Sequence, residues 1–111
     1  MPVTYDDLVT IALELPDTEE ALMYGDPAIK RAGRFMFAPK KDGETIAVKL
    51  DWDTHDSLLD KYPDVFYKPP HYDGWPGFLV RLDKLSKKLA KEVVRASWEN
   101  APKPAKRRKA K

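Results

Sequence analysis

Between Ala21 and Leu50 the chain changes direction three times within thirty residues. Ala21-Leu22-Met23-Tyr24 stops at Gly25-Asp26-Pro27, and Ala28-Ile29-Lys30-Arg31 stops at Ala32-Gly33. Arg34-Phe35-Met36-Phe37-Ala38 then leads to Lys41-Asp42-Gly43-Glu44, a tight turn of the Asp-Gly kind that closes hairpins. Connections this short join antiparallel neighbours and leave no room for the crossover helix that parallel strands need. The stretch therefore predicts an antiparallel meander. Thr45 to Leu50 alternates, with Ile46, Val48 and Leu50 turned to a core and Thr45, Ala47 and Lys49 turned outward. Phe35 and Phe37 are expected on one face.

Helical periodicity brackets this meander. Thr4 reads as an N-cap, with Asp7 at the reciprocal capping-box distance. Leu8, Ile11, Ala12 and Leu15 follow on one stripe until Pro16, which predicts a helix from about Tyr5 to Glu14. A second helix is expected from a cap at Asp53, using Leu58, Leu59 and Tyr62, and ending before Pro63. Two short strands come next, Val65-Phe66-Tyr67-Lys68 and Phe78-Leu79-Val80-Arg81-Leu82. A last helix starts near Asp83 or Ser86 and buries Leu85, Leu89, Val93 and Ala96, with its lysines on the other side. Strands grouped this way between helices predict an α+β fold with a mostly antiparallel sheet, helices at both ends and one inserted helix.

At 111 residues the chain fits one domain, expected over residues 1–100, followed by a disordered basic tail over 101–111. That tail holds six basic and no acidic residues: Lys103, Lys106, Arg107, Arg108, Lys109 and Lys111. Residues 1–100 then carry 14 basic and 18 acidic residues, so the net +2 of the whole chain comes from its end. Residues 1–60 have net −7 and residues 61–100 net +3, so a polyanion is expected to choose the second half and the tail. There is no cysteine for a disulfide, thiolate nucleophile or thiolate metal site. No apolar run has the length of a membrane span and no export signal is visible, so the expectation is a cytoplasmic monomer without membrane contact.

Catalytic constellations are absent from the pattern. His55 reads as a solvated residue in the first turn of the second helix. Two distant histidines without cysteine make no zinc site. Asp51, Asp53 and Asp56 lack EF-hand spacing and read as helix capping. No nucleophile, acid and base converge, so neither an enzyme nor a cofactor is expected. The informative segment is Lys68-Pro69-Pro70-His71-Tyr72-Asp73-Gly74-Trp75-Pro76-Gly77. His71, Tyr72 and Trp75 offer flat, hydrogen-bonding groups, with Lys68 and Arg81 at the flanks. Such a set suits stacking on bases and contact with phosphate. The alternative is that Tyr72 and Trp75 fold back as a lid.

Several segments in order resemble one family. Ala12-Leu13-Glu14-Leu15-Pro16, Gly33-Arg34-Phe35-Met36-Phe37-Ala38 and Ile46-Ala47-Val48-Lys49-Leu50 come first. Lys68-Pro69-Pro70-His71-Tyr72, Trp75, Arg81-Leu82 and Ala96-Ser97-Trp98 before Ala101-Pro102-Lys103 complete the set. The chain is similar over residues 4–103 to the MmcQ/YjbR-like proteins, a family of unknown function often labelled DNA-binding. The resemblance implies a curved antiparallel sheet of secretion-chaperone or frataxin-like shape and no established catalysis. It marks Lys49, His71, Trp75 and Arg81 as positions of interest. DNA is therefore one candidate partner, met through these residues, Lys68 and the tail. A protein or small ligand held by a chaperone-like module is the other. The acidic body leaves phosphate contacts to the second half and the tail.

Overall fold

Thr4 opens the first helix as its position predicts. Its hydroxyl accepts from the Asp7 amide at 3.2 Å, and the Asp7 carboxylate accepts from the Thr4 amide at 3.0 Å. Two donors that a helix start leaves without partners are thereby satisfied. In this computed structural model, which describes residues 3–23 and 25–102, the helix α1 spans Tyr5–Leu13. The Thr18 hydroxyl donates to the Ala12 and Leu15 carbonyls at 2.7 and 2.9 Å, finishing α1 and starting the first strand.

Strands β1 (Thr18–Met23), β2 (Asp26–Arg31), β3 (Arg34–Pro39) and β4 (Thr45–Lys49) form the meander. The inserted helix α2 (Trp52–Lys61) comes next, then β5 (Phe66–Tyr67), β6 (Gly77–Arg81) and α3 (Lys87–Asn100). Among the described residues one six-stranded, wholly antiparallel sheet results, in the order β1-β2-β3-β4-β6-β5. The fold is α+β, with three helices on the strand framework that the alternation predicts. α1 packs against α3, and α3 lies over β3 and β4. Among the described residues, no helix is long and apolar enough to cross a membrane.

The core forms where β4 and β6 pair Ile46 with Val80 and Val48 with Phe78. These side chains are fully buried together with Phe37, Phe66 and Leu50, and they meet Leu8, Leu89 and Val93 from the helices. Ile11 and Ala96 pack at its edge, half-buried.

Four local expectations are corrected. β2 sets Ile29 opposite Phe37 but Lys30 opposite Phe35, so Met36 is one residue too many for its partner strand. This bulge turns both Met36 and Phe37 into the core and leaves Phe35 half-buried on the other face. Phe35 and Phe37 therefore do not share a face. Asp51, not Asp53, caps α2, accepting from the Thr54 amide at 3.0 Å. Thr45, Ala47 and Lys49 point away from the core but are buried nonetheless, so the second face of the sheet is covered at β4 rather than open. Ala101, placed in the tail by sequence, is only 1 % exposed and belongs to the core packing. Lys103, Lys106, Arg107, Arg108 and Lys109 lie outside the described residues.

Candidate functional site: an aromatic loop and a basic helix

The loop from Lys68 to Gly77 closes on itself through backbone bonds. Pro69 and Pro70 lead into a single 3-10 turn over Pro70–Tyr72. The Tyr72 carbonyl accepts from the Trp75 amide at 3.0 Å, and the Trp75 carbonyl accepts from the Gly77 amide at 2.8 Å. The Pro76 carbonyl takes the Leu50 amide at 2.8 Å, which ties the loop to the end of β4. Bent this way, the chain lays the Trp75 indole over Gly77. A Cβ at position 77 would collide with that ring, so the lid fits only because residue 77 lacks a side chain. Tyr72 meets the indole edge-on at 5.3 Å, and Phe35 approaches it at 6.4 Å. The bulge that withdraws Phe35 from the core is thus what supplies a wall for Trp75.

Gly77→Ala is expected to eject the indole from the sheet. Overpacking of this kind costs about 1–3 kcal/mol. Urea denaturation of the variant beside the parent measures the loss, and an unchanged stability would mean that the ring is not seated there.

Lys49 lies beside Gly77 in the β4–β6 register and is 8 % exposed. Burial, and secondarily the charge of Arg34, holds its ammonium below the usual lysine range. Lys68 turns the opposite way, toward α2. Its ammonium donates to the Trp75 carbonyl at 2.6 Å, lies 2.7 Å from His55 Nε2 and sits 4.7 Å from the Trp52 ring centroid. Arg81 ends β6, stacked 4.1 Å over Tyr67 and donating to the Asp64 carbonyl at 3.3 Å. His71 is exposed at the loop tip, edge-on to Tyr72 at 4.6 Å.

The structure therefore brings Lys49, Lys68 and Trp75 to one end of the loop and sets Arg81 at the far end of the same ladder. Gly77 and Arg81 are four strand steps apart, roughly 13 Å at strand rise. The basic residues of α3 form a separate surface on the helical side. Lys84, Lys87, Lys88, Lys91 and Arg95 are all exposed. Three of them, Lys88, Lys91 and Arg95, repeat at spacings of three and four along one stripe of α3, a helix about 21 Å long, and Lys84 precedes it in the 3-10 turn Leu82–Lys84. Lys87 and Lys88 occupy the first turn, where the helix dipole disfavours positive charge, and that turn holds no acidic residue of its own. Arg95 pairs with Glu99 at 3.1 Å.

His55, expected from sequence to be solvated in the first turn of α2, is buried instead. It is 3 % exposed, stacked on Phe78 at 5.5 Å and edge-on to Trp52 at 4.8 Å, with Nδ1 2.8 Å from Asp56 Oδ1. The signal was available. Trp52, His55 and Leu58 recur every three residues and put the imidazole on the apolar stripe. Its first-turn position alone suggested solvent.

Comparison with known proteins places this arrangement. The YjbR family model matches residues 13–100. The chain belongs to the YjbR family. The chain is also similar to the uncharacterised proteins Mb2600 of Mycobacterium bovis and Rv2570 of Mycobacterium tuberculosis. Each is 28 % identical over 114 residues, an alignment covering 86 % of this chain and 85 % of theirs. The crystal structure of Deinococcus radiodurans DR2400, with domain DUF419, superposes on this YjbR chain with a TM-score of 0.71 at 22 % identity. It covers 91 % of this chain and 80 % of that one, and shows the fold alone.

Proposed function

We propose that this protein is a nucleic-acid-binding module that holds DNA through phosphate charge rather than by reading bases. Segregation of charge carries this reading. From Lys84 to the end there are eleven basic and two acidic residues, net +9, while residues 1–83 carry nine basic and sixteen acidic residues, net −7. The described part of the positive segment is Lys84 and the exposed basic residues of α3, and the chain continues from it into the six further basic residues of 103–111. A row of cations on a rigid helix followed by a basic run suits a polyanion. It offers no fixed geometry for base edges. In this reading Lys49, Lys68 and Trp75 hold the loop in shape, whereas His71 and Arg81 are rim positions open to further contact. The module binds and carries no catalytic chemistry.

A protein partner is the second reading, supported by Leu22, 70 % exposed on edge strand β1, with Leu13 exposed at the end of α1. Fluorescence anisotropy with two duplexes of unrelated sequence separates the readings. The first predicts binding at about 50 mM salt with similar affinity for both duplexes. Absence of binding at that salt rejects it and leaves the protein partner.

A further inference from the structure

We propose that His55 and Lys68 form a pH-operated latch that holds the aromatic loop shut over the second face of the sheet. The geometry fixes the protons. Lys68 Nζ sits 2.6 Å from the Trp75 carbonyl and over the Trp52 ring, two neighbours that favour an ammonium. An ammonium has no lone pair to offer, so at 2.7 Å His55 Nε2 must be the acceptor. The imidazole is then neutral with its hydrogen on Nδ1, where it donates to Asp56 at 2.8 Å. A relay runs from Asp56 through His55 and Lys68 to the backbone of the lid residue.

Protonating Nε2 removes that acceptor and sets two cations face to face at the same distance. The groups around the ring decide which of them stays. From α2 come Trp52 and Asp56; from the chain after β5, Lys68; from β6, the stacked Phe78. Asp56, half exposed at 51 %, favours the imidazolium, and Lys68 opposes it. The charged ring keeps its carboxylate partner while Lys68 leaves. With Lys68 goes the side-chain clamp on the Trp75 carbonyl. The indole is then free to lift from Gly77, uncovering the strip of Gly77, Lys49 and Phe35. His55 is almost wholly buried, so protonation and loop opening occur together.

Linkage sets the sign. The open state binds one proton more than the closed state, so acid favours opening. Below the histidine pKa of the open state, and until opening is half complete, the open fraction rises about tenfold per pH unit.

Hydrogen exchange of residues 68–77 in the full chain, corrected for intrinsic rates, tests this between about pH 8 and pH 5. Wild type should lose protection on acidification, by up to about tenfold per unit until the loop is half open. His55→Gln, which can accept from Lys68 but cannot titrate, should give a flat profile. Lys68→Met should exchange fast at every pH. A flat wild-type profile, or a pH dependence that survives in His55→Gln, overturns the latch. Should His55→Gln not fold, wild-type NMR decides. The His55 ring protons and the Trp75 indole N–H must share one midpoint, and separate midpoints refute the coupling.

Discussion

Phe37→Ala should unfold this protein more readily than any surface change, at a cost of about 3–5 kcal/mol. The ring is fully buried, sits across from Ile29 and Val48 in the central strands, and meets Tyr5 edge-on at 6.1 Å. Its loss leaves a cavity where sheet and α1 join, and β-sheet backbone cannot collapse far enough to fill it. For a domain of this size the melting temperature should fall by roughly 15–25 °C. Phe35→Ala is the informative control. Two residues away but turned to the other face by the Met36 bulge, Phe35 is half-buried against Trp75, and its removal should cost clearly less. Thermal melts of both variants decide the matter. Equal losses, or a larger loss for Phe35, would contradict the bulged register.

That pair of phenylalanines also marks how far alternation could be read. Period-two spacing located β4 and β6 to within a residue or two and assigned Ile46, Val48, Phe78 and Val80 to the core, because those strands are regular. In β3 the same rule failed at one residue. A bulge depends on how the partner strand pairs, and local sequence carries no mark of it. The Thr4 capping box was legible because both its partners lie within four residues. The contacts that shape the loop were not. Lys68 reaches His55 across thirteen positions and Ser97 donates to the Met36 carbonyl across sixty-one, separations set by the whole fold. Sequence leaves Trp75 open between a recognition surface and a lid, and its seat depends on Gly77, two residues on, which sequence marks only as a loop glycine. The basic stripe of α3 could be read directly, since helical spacing alone defines it.

The claim that charge on α3 and in residues 103–111 carries nucleic-acid binding is tested most directly by a salt series. The affinity of the full chain for duplex DNA is measured beside that of a chain ending at Pro102. The cut spares Ala101 because it is part of the core. Each neutralised phosphate contributes roughly 0.9 to the slope of log affinity against log salt. Six basic residues lie beyond Pro102 and five exposed ones lie on and before α3. Full engagement would give a slope of about −10 for the whole chain and about −5 after truncation. The shortened chain should show that shallower slope and lose most of the affinity, with an unchanged melting temperature. If both chains bind with the same affinity and slope, the contact surface lies elsewhere on the folded body and residues 103–111 do not carry the binding. If neither binds at low salt, the nucleic-acid reading itself is contradicted.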